Sequence, residues 1–131
     1  MLTENCEEMK MKFDKTILIV EDDYFSYRIL KHIIGKTGAK IIWVQNGTEA
    51  VNACENNPDI NLVFMGENMP VTNGESAMAK IKEIRKELPV VMQTINPDHR
   101  EKMFEIGCDD FLTKPYNKEI VNNILKKFIG E

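Results

Sequence analysis

Three unbroken apolar runs of strand length restrict this chain more than any other feature: Thr16-Ile17-Leu18-Ile19-Val20, Ile41-Ile42-Trp43-Val44 and Leu62-Val63-Phe64-Met65. A strand with one wet face alternates apolar and polar side chains, whereas a strand covered on both faces need not. Runs without alternation therefore predict a parallel sheet buried on both sides. Pro89-Val90-Val91-Met92-Gln93 and Asp110-Phe111-Leu112 are weaker candidates for a fourth and a fifth strand.

Between these runs the apolar period becomes helical. Ile29, Leu30, Ile33 and Ile34 share a face, as do Ala50, Val51 and Cys54, and Ala77, Ile81, Ile84 and Leu88 recur at spacings of four, three and four. Met103 and Phe104 mark a short fourth helix that Gly107 ends, and Ile120, Val121, Ile124, Leu125, Phe128 and Ile129 form the clearest stripe. Strand and helix thus alternate five times, which implies βαβ units with helices on both faces of one sheet. The chain of 131 residues suits one domain. Residues 1–14 read as a lead-in or linker and residues 15–131 as that domain.

Composition narrows the function classes. With 43% hydrophobic and 29% charged residues the chain reads as globular, and a net charge of -4 gives no electrostatic reason to bind nucleic acid. No apolar run approaches the roughly 20 residues of a membrane span, and the polar, acidic start is unlike a secretory signal. Cys6, Cys54 and Cys108 are odd in number, far apart and without a CxxC pair, so they read as two half-buried small apolar residues and a free thiol in a reducing cytoplasm. Most of the eight methionines read as core filler.

A doubly wound sheet places its site beyond the carboxyl ends of its strands. Those ends carry Glu21-Asp22-Asp23, Gly66-Glu67-Asn68-Met69-Pro70, Thr94 and Thr113-Lys114-Pro115. Clustered carboxylates suit a hard cation such as Mg²⁺, and a lysine and a hydroxyl beside it suit phosphoryl oxygens. Taken singly, each residue has a plainer role. The acids fit a helix N-terminus with Asp23 as its cap, Lys114 fits a solvated surface, Thr94 an ordinary strand and Phe111 a core. Their convergence on one edge favours a site. His32 and His99 read as surface residues outside it.

The segments ILIVEDD at 17–23, NGTEAV at 46–51, MP-VTNG at 69–74 and GCDDFLTKP at 107–115 together resemble the response-regulator receiver family of two-component signalling. The resemblance runs from Lys15 to Phe128. It implies a (βα)5 doubly wound parallel sheet of strand order 2-1-3-4-5, as in flavodoxin-like receivers. It further implies that a histidine kinase or phosphotransfer protein donates a phosphoryl group to an aspartate. Glu21 and Asp22 match the acidic pair that binds Mg²⁺, and Asn68 the residue whose backbone carbonyl completes the metal shell. Thr94 and Lys114 match the phosphoryl contacts, Phe111 the aromatic switch position, and Pro115 a position linked to a cis Lys-Pro bond. Helix four, strand five and helix five, with Met103, Lys118 and Asn122-Asn123, match the face used for output and dimerisation.

The departure is at Gly66, four residues before Pro70, where the family places its acceptor aspartate. Glycine offers neither a nucleophile nor a metal ligand, so Mg²⁺ should bind weakly, if at all. Glu67 is adjacent, but consecutive strand side chains point to opposite faces, which aims it away from the acceptor position. The resulting reading is a receiver-type signalling and binding module, not an enzyme, that lacks its acceptor. It would be cytoplasmic, and either stand-alone or the receiver part of a hybrid histidine kinase. The alternative is a metal-assisted, phosphatase-like hydrolase using Glu21-Asp22.

Overall fold

The computed structural model describes residues 14–67 and 73–130. Cys6, most of the lead-in, Asn68, Met69 and Pro70 lie outside the described residues. Five parallel strands, β1 (Thr16–Val20), β2 (Lys40–Val44), β3 (Ile60–Gly66), β4 (Val90–Thr94) and β5 (Asp110–Thr113), form one sheet in the order β2-β1-β3-β4-β5. The connecting helices are α1 (Tyr24–Gly35), α2 (Gly47–Asn56), α3 (Gly74–Ile84), α4 (Arg100–Ile106) and α5 (Lys118–Phe128), with a 3₁₀ turn at Pro97–His99 before α4.

The sheet separates two cores, and strand parity assigns residues to them. Leu18, Val20, Val63, Met65, Met92 and Phe111 face α2, α3 and α4. Ile17, Ile19, Leu62, Phe64, Val91 and Leu112 face α1 and α5. Both faces of β1 and β3 are therefore dry, which is why their sequences do not alternate. Met65, Met78, Met92 and Met103 are fully buried, in keeping with their reading as core filler. Cys54 and Cys108 are more deeply buried than half, and burial pushes both thiols up to about 11.

The helical stripes are narrower than the sequence suggests. Ile29, Ile84, Phe104 and Ile120 are exposed, while Tyr27, Met78, Met103 and Val121 take the buried positions. A helix turns about 100° per residue, so the apolar neighbour of a buried residue is carried out of the contact. Leu88 is buried, but from the loop beyond α3 rather than on it. Four of the five helix entries carry a side-chain cap: Asp23, Asn46, Asn73 and Asn117 accept backbone N–H bonds at the starts of α1, α2, α3 and α5. Gly107, at φ 127°, ends α4 in a conformation that side chains resist.

Gly74 fixes the pocket end of β3. Its N–H donates to the Glu67 carbonyl at 2.9 Å, and a Cβ there would collide with the Gly66 carbonyl oxygen. Gly74→Ala is expected to destabilise the fold by roughly 2 kcal/mol, because backbone atoms must move to admit the methyl group. Urea denaturation measures this, and a loss within error of zero would show that α3 does not press on the strand end.

Candidate functional site

Glu21 stands one residue beyond β1, and its N–H continues the ladder to the Val44 carbonyl at 3.1 Å. It is 2% exposed. The Lys114 ammonium, one residue beyond β5, donates to both Glu21 carboxylate oxygens at 3.0 Å. The Asp23 N–H donates to Glu21 Oε1 at 3.2 Å. Burial raises the Glu21 carboxyl above its ordinary range, and Lys114 opposes that shift without cancelling it. Asp22 is exposed, and Asp23 is held below the usual carboxylate range mainly by the Ser26 hydroxyl. The Lys114–Pro115 bond is cis.

A pocket of about 180 Å³ gathers Glu21, Asp22, Gly66, Glu67, Gln93, Thr94 and Lys114. The sequence thus places five of its site residues, Glu21, Asp22, Gly66, Thr94 and Lys114, around one cavity. Phe111 does not join them: it is 8% exposed and packs in the α2–α4 core. Asn68 lies outside the described residues. Among the described residues no three His, Cys, Asp or Glu side chains come together as a metal-binding group. Glu21 is committed to Lys114, Asp23 to Ser26 and Glu67 to the partners below, which leaves the exposed Asp22 as the pocket carboxylate most open to a divalent cation.

Parity then divides the pocket. Gly66 pairs with Gln93 in the parallel register, on the face of Phe64 and Val91. Tyr116 donates its hydroxyl to Gln93 Oε1, while Gln93 Nε2, buried, has no partner among the described residues. Glu67 continues the ladder by donating its N–H to the Gln93 carbonyl at 3.1 Å. Its side chain therefore falls on the opposite face from residue 66, as strand geometry requires. That face also holds Thr94, whose hydroxyl donates to Glu67 Oε1.

Glu67 points away from the acceptor position as expected, whereas the reading of His99 as a surface residue outside the site is corrected. Glu67 is 6% exposed, and its Oε2 lies 2.5 Å from His99 Nδ1. Asn96 Oδ1 accepts from the Asp98 N–H at 3.0 Å, which turns the amide nitrogen toward His99 Nε2 at 3.1 Å. An amide nitrogen can only donate, so Nε2 offers its lone pair and the ring proton sits on Nδ1, donating to Glu67. His99 comes within reach because the 3₁₀ turn folds back over the end of β4. The sequence clue was Asn96-Pro97-Asp98, a turn-forming stretch that brings residue 99 back toward Thr94.

Replacing Glu67 by glutamine keeps the shape but removes the charge and sets an N–H₂ against one of its two donors. Glu67→Gln is expected to cost about 1–2 kcal/mol, since charge-assisted bonds are lost and one buried donor is left unpaired. Thermal melting with an NMR probe of the Thr94 methyl checks this. An unchanged Thr94 resonance would show that Glu67 does not hold the hydroxyl.

Comparison with known proteins places these features in context. The response regulator receiver domain family matches residues 17–126. The sensor histidine kinase GacS of Pseudomonas protegens is 30% identical over 121 residues, covering 87% of this chain but 13% of its own length. Two-component response regulator 24 of Arabidopsis thaliana is 29% identical over 114 residues, covering 86% of this chain and 82% of its own. Among solved structures, the receiver domain of a Pseudomonas aeruginosa sensor histidine kinase, with magnesium in its active-site cleft, superposes with a TM-score of 0.81 at 26% identity, covering 89% of this chain and 98% of that one. The receiver domain of Saccharomyces cerevisiae Ssk1, crystallised with the histidine phosphotransfer protein Ypd1, gives 0.81 at 27% identity, covering 88% and 90%.

Proposed function

Because the chain belongs to the response regulator receiver family, we propose that it is a receiver-type signalling module that cannot accept a phosphoryl group and is held in one state. One observation carries this reading. The Thr94 hydroxyl is already bonded to Glu67, and on the motif resemblance Thr94 takes the phosphoryl-contact position while Gly66 takes the place of the nucleophile. A buried carboxylate thus occupies the hydroxyl that a phosphoryl oxygen would otherwise attract. Glu21, Asp22 and the Asn68 carbonyl would hold Mg²⁺ weakly, the ion supplying charge neutralisation when bound. Lys114 stays paired with Glu21. The module works by binding rather than by turnover.

Its partner is a histidine kinase or a phosphotransfer protein, the kind of protein crystallised with the Ssk1 receiver. The chain spans about an eighth of GacS and most of regulator 24, so its sequence fits both the receiver part of a hybrid histidine kinase and a stand-alone regulator. Among the described residues no helix is long and apolar enough to cross a membrane, and a cytoplasmic place suits the free thiols. A homodimer would use α4, β5 and α5, where Phe104 and Ile120 are exposed beside a groove of about 530 Å³. Met103 drops out of that face, being fully buried. Lys118 and Asn123 remain on it, both exposed, and Asn123 lines the groove.

A phosphotransfer protein carrying a radiolabelled phosphohistidine tests the proposal. The amide spectrum of the chain should shift on mixing, showing association, while the label stays on the donor. Transfer of label to the chain would contradict the reading.

A further inference from the structure

Gly66 pairs with Gln93 in the register of β3 and β4, so the two positions are neighbours on one face of the sheet. Gly66 puts no side chain into that space. Gln93 is 1% exposed, and its Oε1 accepts from the Tyr116 hydroxyl. The other end of the amide, Nε2, is buried and has no hydrogen-bond partner among the described residues. A buried donor without an acceptor is costly, and native folds seldom leave one. Gly66 and Gln93 both line the pocket of about 180 Å³. Lys114 lines it too and carries a further donor. An ammonium has three protons. Glu21 takes two of them, one on each carboxylate oxygen at 3.0 Å, and the third has no acceptor among the described residues.

Two unpaired donors beside a missing side chain suit an acceptor with two oxygens. We propose that the pocket binds a small monocarboxylate of the size of formate or acetate, which stands non-covalently where Gly66 has no side chain. One oxygen accepts from Gln93 Nε2 and the other from Lys114 Nζ. The volume fits that class, since drug-sized ligands take roughly 300–1,000 Å³. Charge permits it as well. Glu21 and Lys114 offset each other, and both oxygens of Glu67 are engaged, by Thr94 and by His99. Asp22 is exposed, where water and salt screen it. A phosphate ion carries more charge near neutral pH, meets more repulsion from these acids and fits less well. The inference deepens the proposed function and rests on it in one respect: the pocket is taken as free of a covalent phosphoryl group.

The unaltered full chain, isotope-labelled for NMR, would be titrated with sodium formate, acetate, phosphate and chloride at one fixed ionic strength. Formate and acetate are expected to shift the Gly66 backbone amide and the Gln93 side-chain amide along one saturable curve. The dissociation constant should be about 1 mM or weaker, the range open to a ligand of three or four heavy atoms. Chloride is expected to leave both signals in place, and phosphate to bind more weakly than formate. Acetate should also show a nuclear Overhauser contact from its methyl group to the Gly66 α-protons, a readout that needs no variant. Gln93→Glu keeps an oxygen for Tyr116 but removes the donor, and Gly66→Asp fills the space with a tethered carboxylate. Each is expected to weaken formate binding about tenfold or more. Circular dichroism of each variant separates a lost site from a lost fold. No saturable shift up to about 100 mM formate overturns the inference and leaves the space to water. So does an equal response to chloride, tighter binding of phosphate than of formate, or undiminished formate binding by a folded Gln93→Glu. A gain of phosphoryl mass by the unaltered chain contradicts the proposed function instead. Mass spectrometry reads that gain independently of the formate shifts, so the two failures are told apart.

Discussion

Gly66→Asp is expected to turn this chain into a phosphoryl acceptor. Residue 66 stands beside Gln93 in the register, and both share the pocket with Glu21 and Lys114. Gln93 Nε2, without a partner among the described residues, would gain an acceptor. With acetyl phosphate as donor, the new carboxylate attacks phosphorus, an acyl phosphate bond forms, and acetate leaves. A third carboxylate close to two others raises pKa values and costs stability, which a bound divalent cation offsets. Loss of glycine's freedom in the unfolded chain works the other way by about 0.5 kcal/mol. Repulsion is the larger effect, so the variant is expected to melt lower in EDTA and to recover with Mg²⁺.

Thr94 modifies that outcome. Its hydroxyl remains bonded to Glu67 in the single variant, so one phosphoryl contact is withheld. Adding Glu67→Met frees the hydroxyl, and the double variant is expected to gain phosphoryl mass about tenfold faster or more, the scale of one oxyanion donor. Equal rates would show that Glu67 does not restrain Thr94. If both variants bind Mg²⁺ and neither gains mass, the departure from the family extends past residue 66 to Thr94 or Lys114.

Lys114→Met is expected to produce the largest change in stability. It leaves Glu21, 2% exposed, without the ammonium that meets both its oxygens. Breaking a buried pair on one side costs about 3 kcal/mol when the remaining charge cannot reach water. The pH dependence carries a definite sign. The Glu21 carboxyl is raised in the fold by burial, so its contribution to stability is fully present below the unfolded value and is lost as pH rises through the folded one. Removing Lys114 removes the two largest effects that lower the carboxyl, so the folded value rises further and the loss extends toward neutral pH. The variant should approach the parent in stability at acidic pH and fall away from it above. A deficit independent of pH would point to lost packing of the lysine stem instead.

The fold was legible because dry strands dispense with alternation, and β1 and β3 advertise this in Ile, Val and Leu, whereas the equally apolar β2 is a half-buried edge strand. The helix faces were legible only in part. Ile29 and Ile84 are apolar yet outward, and sequence cannot tell a wide stripe from a narrow one flanked by exposed residues. The site was legible where residues end a strand, as Gly66 and Thr94 do, or follow one directly, as Glu21, Asp22 and Lys114 do. The Glu67–Thr94 bond was hidden for a geometric reason. Strand parity rightly sends Glu67 away from residue 66, but only the pairing of Met65 with Met92 shows that Thr94 lies on the same side. His99 was hidden because its partner is set by a fold-back of the 3₁₀ turn rather than by any spacing between the two residues.

The intact mass of the unaltered chain, after incubation with acetyl phosphate and Mg²⁺, tests the central claim most directly. With no side chain at Gly66 and Glu67 bonded to Thr94 and His99, the mass is expected to stay unchanged. A gain of one phosphoryl group that hydroxylamine removes, mapped by peptide sequencing to Glu67 or Asp22, would contradict it.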